Sequence, residues 1–134
     1  MSRSGYSDDC DGFGLIRWRG AVAAAIRGTR GQEMLHGLAS ALDAMPEKRL
    51  ITGALIQQGE VCALGALGLA CGRVEDMQQV DPEDPEQVAG FFGIAEALAK
   101  EIQFVNDEYY DPTPEARWQR MRAWVADCIA EREP

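Results

Sequence analysis

Leu35, Leu38, Leu42 and Met45 recur at the three- and four-residue spacing of one helix face, and Pro46 stops the series one residue later. A stripe of this kind buries itself along one side of a helix. The proline ends it because the residue before a proline is pushed out of the helical region. The pattern predicts a helix over 32–45 and commits the chain to packing helices on helices. The same reading extends along the sequence. Leu15, Trp18, Val22, Ala25 and Ile26 share a face over 15–27, with Gly28 as a natural stop. Asp84-Pro85 supplies a cap and a first position for a short helix to Phe92, and Gly93 then turns the chain into a longer helix over 94–108. Thr113-Pro114-Glu115 opens the last helix, whose stripe is Trp118, Met121, Val125 and Cys128. The turn-rich segment 1–14 reads as irregular.

Strands fit best between Leu50 and Leu64. Ala54 to Gln58 and Val61 to Leu64 flank Gly59-Glu60 in the manner of a short hairpin with glycine in its turn. Such a hairpin is marginal alone and must rest on helices. The small apolar run from Cys62 to Cys71 reads equally as a tightly packed buried helix ending at Gly72, and periodicity does not separate the two. The expected fold is mainly α with a possible small β-hairpin: a compact single-domain bundle of about five helices over 1–134. With 46% hydrophobic residues the chain has a core to bury. No run approaches the roughly 20 apolar residues of a membrane helix, so no membrane association is expected. The opening residues lead into Asp8, Asp9 and Asp11, where a signal peptide would need an apolar stretch; the expected location is the cytoplasm.

Charge is divided unevenly. Residues 1–60 carry seven basic and seven acidic side chains, whereas 61–134 carry six and fifteen, which accounts for the whole net charge of −9. Within 75–111, eleven carboxylates face the single cation Lys100. That segment repels nucleic acid and attracts basic surfaces, or simply solubilises the fold. The loop Asn106-Asp107-Glu108-Tyr109-Tyr110-Asp111 mixes carboxylates with two aromatics, a composition found at contact surfaces. With Glu101 one turn before it, the expected protein-binding residues are Glu101, Asp107, Glu108, Tyr109, Tyr110 and Asp111. The N-terminal helix has the opposite character. Arg17, Arg19, Arg27 and Arg30 occur with no acidic residue between Asp11 and Glu33, and they form an alternative phosphate-binding set beside the glycines of 28–31. Paired internally or solvated, they would instead form the polar face of a surface helix.

Catalytic and cofactor signals are poor. Cys10, Cys62, Cys71 and Cys128 form no Cys-x-x-Cys pair, and His36 is the only histidine, so no metal site is expected. A Cys62–His36 dyad would need a reactive thiol, and Cys62 lies in an apolar run where thiols are inert. No Walker or Gly-x-Gly-x-x-Gly pattern marks a nucleotide site, and no cofactor is expected. Residues 86–102 have the spacing of a helix-turn-helix, with Ala89 in the first helix, Gly93 in the turn and Val88, Phe92, Ile94, Ala99 and Ile102 packing. Its second helix offers Glu96, Lys100, Glu101 and Gln103, a face unsuited to reading DNA.

Six segments taken in order carry a resemblance: 17–22 (Arg-Trp-Arg-Gly-Ala-Val), 27–32 (Arg-Gly-Thr-Arg-Gly-Gln), 42–51, 59–66, Val105-Asn106-Asp107-Glu108 and 113–118. Together they resemble a family of small uncharacterised proteins encoded by bacteriophages and prophages of proteobacteria. The resemblance implies no catalytic residues. It implies a context, in which small accessory proteins bind a host protein, including as inhibitors of host defence. The expected function is a non-enzymatic accessory protein whose acidic surface binds a host protein with a basic nucleic-acid-binding surface, in the manner of an anti-CRISPR inhibitor. The alternative is a small nucleic-acid-binding or nucleotide-sequestering protein using the arginine-rich helix.

Overall fold

The structure, a computed structural model, describes residues 12–132. Among them seven helices and one short hairpin follow in the order α1 (Gly12–Arg27), α2 (Thr29–Ala44), β1 (Ile56–Gln57), β2 (Glu60–Val61), α3 (Ala63–Ala70), α4 (Val74–Met77), α5 (Pro85–Phe92), α6 (Glu96–Asp107) and α7 (Pro114–Arg132). The fold is mainly α, as the periodicity requires, with seven helices in place of about five. The additional ones are α3, which settles the run after Cys62 as helix, and the single turn α4. Residues 1–11 of the expected irregular segment lie outside the described residues. Gly12 to Gly14 are already helical, which corrects the start of α1 from Leu15.

Helix α2 is the axis of the core. Leu35, Leu38 and Leu42 are fully buried, and α2 packs on α7 through one side and on α3 through another. Helix α7 answers with Met121, Val125 and Cys128, while Trp118 donates its indole N–H to the Leu42 carbonyl at 3.2 Å. Helix α6 brings Leu98, Ile102 and Val105 into the same cluster, α1 brings Val22 and Ile26, and α4 brings Met77. Every helix therefore contributes to one core.

Capping chemistry sets most boundaries. The Asp84 carboxylate accepts the amides of Glu86 (3.1 Å) and Gln87 (3.3 Å) at the start of α5. Thr113 Oγ1 accepts the Ala116 amide at 3.0 Å at the start of α7. Gly93, at φ 67°, closes α5 and makes the helical corner with α6. Val88, Ile94, Ala99 and Ile102 are buried in that corner.

The hairpin differs from expectation by one residue. Its turn is Gln58-Gly59, with φ of 53° and 81°, and its register pairs Ile56 with Val61 and Gln57 with Glu60. Two positive φ values make a type I′ turn, whose twist suits two paired strands. Glycine occupies its second position, not its first. Ala63 and Leu64 leave the expected strand to begin α3.

A buried asparagine joins this region to α6. Asn106 accepts the Ala63 amide at 3.1 Å, one of the amides that a helix start leaves without a partner. Its side-chain amide donates to the Ile51 carbonyl at 2.9 Å and to Asp107 Oδ1 at 2.7 Å. Asn106→Ala strands a buried donor and a part-buried acceptor together. It is expected to lower the unfolding free energy by about 2 kcal/mol, read as a fall in urea midpoint and a loss of hydrogen-exchange protection at the Ala63 amide. An unchanged midpoint would show that neither bond matters.

Candidate protein-binding loop

The loop between α6 and α7 is fixed from beneath by α7. Arg120 donates Nε to Asp111 Oδ1 at 2.8 Å and Nη2 to Oδ2 at 2.7 Å, a bidentate fork. Its third nitrogen, Nη1, donates to the Val105 carbonyl at 2.7 Å, so the same guanidinium also satisfies the end of α6. The guanidinium lies 4.7 Å from the centre of the Tyr109 ring, which meets Phe104 edge-on at 5.9 Å. Arg117 adds a second cation, its Nε 3.3 Å from Asp111 Oδ2. That separation is within ion-pair range, but the N–H is not aligned for a hydrogen bond. Arg117 Nη1 donates instead to the Leu50 carbonyl at 3.0 Å.

Asp111 therefore has a different place from the one expected of it. Its side chain is only 5% exposed, and its pKa is held below the ordinary carboxylate value, chiefly by the hydrogen bonds from Arg120 and then by the nearby charges of Arg120 and Arg117. It braces the loop and presents no charge to a partner. The surface of the loop is made by its neighbours. Tyr110 is 90% exposed and Tyr109 50% exposed, Glu108 is exposed, and Asp107 and Glu101 are half-buried. A rigid support beneath an exposed aromatic lowers the ordering cost of binding.

Arginines in this fold are divided in a way the sequence did not disclose. Arg122 pairs with Asp43 at 2.8 Å, and Arg49 with Glu60 and Glu47 at 2.7 Å each. These contacts hold Asp43 and Glu60 below their ordinary pKa values, in each case mainly through the arginine's hydrogen bond. In the acidic segment, Lys100 pairs with Glu96 at 3.5 Å. Among the described residues no cation pairs with Glu75, Asp76, Glu86 or Glu108. The loop preceding α5 is tied to α6 by Gln103, which donates to the Pro82 carbonyl at 2.9 Å.

The alternative arginine set is spread over α1 and α2. Arg17, Arg19, Arg27 and Arg30 are all exposed, but Arg17 and Arg19 stand two residues apart on one helix and so do not share a face. Arg30 lines two clefts. The thiol of Cys62 is buried, accepts the Gly65 amide at 3.4 Å as the cap of α3, and is pushed up to about 12 by burial. That is a structural thiol, and His36 faces solvent on α2. Among the described residues no group of three or more His, Cys, Asp or Glu side chains could hold a metal ion, and no helix is long and apolar enough to cross a membrane. Compared with protein-family models, curated proteins and solved structures, the chain matches none.

Proposed function

We propose that this chain is a non-enzymatic binding protein that docks on the basic surface of a host nucleic-acid-handling protein through its acidic side, with the α6–α7 loop as the anchor. The observation that carries this reading is Tyr110, 90% exposed beside Glu108 on a loop that the Asp111–Arg120 fork holds in place. Tyrosine supplies large contact area at small entropic cost, and exposed carboxylates with no internal cation steer approach to a basic partner. In the phage or prophage setting implied by the sequence resemblance, occupying such a surface would inhibit a host defence complex. The cytoplasm is the compartment where that encounter belongs.

The partner is found by co-purification from a host strain after nuclease treatment, and the interface is then tested by titration with variants. Tyr110→Ala with Glu108→Lys is expected to weaken binding about 30-fold, a hot-spot-sized loss. Affinity of the wild-type chain should also fall with added salt. Unchanged affinity together with an unchanged salt dependence would sink the acidic-face mechanism. Asp111 is a poor position for this test because replacing it disturbs the support rather than the surface.

A further inference from the structure

Away from this loop, a cleft of about 330 Å³ opens between the first half of α2, the end of α3 and the last turn of α5. That volume lies at the lower end of the small-molecule range. Two helix ends converge on it. At the end of α3, Gly72 (φ 71°) donates to the Leu69 carbonyl and Arg73 to the Gly68 carbonyl, both at 3.0 Å. At the end of α5, Gly93 performs the same reversal, with Ile94 donating to the Ala89 carbonyl at 3.1 Å. The Gly68, Leu69 and Ala89 carbonyls at these ends are thus hydrogen-bonded already. Arg73 Nη1 supplies one more donor, to the Phe91 carbonyl at 2.9 Å.

Two cations without an internal counter-charge line this one cleft. Arg49, Arg117, Arg120 and Arg122 all pair with carboxylates. Among the described residues Arg30 and Arg73 pair with none, as is also true of the exposed Arg19 and Arg27 on α1. Arg30 and Arg73 are the two on this cleft. The guanidinium of Arg73 is held over the Phe91 ring, 3.9 Å from its centre, and Phe92 meets Phe91 edge-on at 4.8 Å. Stacking and the carbonyl bond fix Arg73 in orientation and leave further N–H groups for a ligand. Met34 and Leu67 give apolar surface, and Glu33 is the one carboxylate on the lining.

We propose that this cleft binds a purine nucleoside monophosphate and prefers guanine. Arg30 and Arg73 take the phosphate, which guanidinium groups match in charge and geometry. The base lies against the apolar and aromatic lining. Glu33 accepts from the ring and exocyclic N–H groups of guanine; adenine presents a ring acceptor at the first of these positions and repels a carboxylate there. This site stands whether or not the acidic side docks on a partner.

Calorimetric titration of the full chain with GMP, AMP, guanosine and inorganic phosphate tests the idea. GMP is expected to bind at least about tenfold more tightly than AMP, guanosine or phosphate, the scale of one charged hydrogen bond. Arg30→Gln should weaken GMP by a similar factor, and Glu33→Gln should erase the preference over AMP; both positions are exposed, so the fold is not at risk. Independently, in a Cys10→Ser chain, alkylation of the exposed Cys71 on the cleft should slow when GMP is added, Cys62 and Cys128 being buried. No saturable GMP binding up to about 1 mM would overturn the proposal. So would phosphate binding as tightly as GMP, indifference to both substitutions, or a preference for oligonucleotides without protection of Cys71.

Discussion

Gly65→Ala is expected to lower the unfolding free energy by about 3 kcal/mol or more, although glycine-to-alanine changes within helices ordinarily stabilise by about 1 kcal/mol. A Cβ at position 65 would lie 1.8 Å from the Leu55 carbonyl oxygen, 2.9 Å from its carbon and 3.0 Å from the Cβ of Val61. These are backbone atoms and a β-carbon, so no side-chain rotation relieves the clash. The Leu55 carbonyl is held there because it accepts the Cys62 amide at 3.2 Å. Helix α3 must therefore retreat from the hairpin, at the expense of its packing against β2 and α2. Gly90→Ala is the internal control. Gly90 lies within α5, is exposed, and an added Cβ meets nothing within 4 Å, so this change should stabilise by about 1 kcal/mol. Urea unfolding of both variants reads the two signs. A Gly65→Ala protein as stable as wild type would mean that α3 does not approach the hairpin this closely.

The contrast between those glycines also shows what the sequence could and could not disclose. Helix ends were legible wherever the determining chemistry is local. Pro46 after α2, Asp84-Pro85 before α5, Gly93 after it and Thr113-Pro114 before α7 all act on backbone groups within a turn of themselves. The stripe Leu35, Leu38, Leu42 was legible because burial on one helix face leaves a period. The hairpin turn moved by one residue because glycine fits either central position of a two-residue turn, and the observed type I′ turn also asks Gln58 for a positive φ that glutamine does not advertise. Helix α3 was ambiguous for a related reason: a run buried on most sides has no polar face to set a period. The candidate site was half legible. Tyr110 and Glu108 were visible as exposed chemistry in a loop. Asp111 looked the same in sequence, and its different fate depends on Arg117 and Arg120, whose reach back to it is a matter of how α7 packs. Arg73 gave little signal, since its place on the cleft follows from the left-handed turn at Gly72 and from the position of α5. A glycine followed by an isolated arginine after an apolar run was the one available hint.

Asp111→Ala is expected to cost about 3 kcal/mol, the scale for removing one partner of a largely buried ion pair, and to weaken partner binding without touching the binding surface. Arg120 and Arg117, with side chains 25% and 15% exposed, would be left together without their shared counter-charge. The effect carries a pH signature. Asp111 has a folded-state pKa below its ordinary value, so its contribution is complete above the unfolded-state pKa of about 3.9 and drains away as pH falls through the lower folded value. Asp43 and Glu60 shift in the same direction, but they belong to exposed pairs that contribute little. Wild-type stability should thus fall below about pH 4, and Asp111→Asn, which keeps the shape and removes the titration, should flatten most of that acid limb. An acid limb of equal size in wild type and Asp111→Asn would place the pH dependence elsewhere. The consequence for binding follows from the same fork. Arg120 positions Tyr109 and closes α6 through the Val105 carbonyl, so releasing it from Asp111 frees the segment that displays Tyr110. The partner must then order that loop as it binds, and affinity falls in the Asp111 variants even though Glu108 and Tyr110 are intact. Tight binding by Asp111→Ala would show that the loop does not need its support, and the anchoring role given to it would fail with that result.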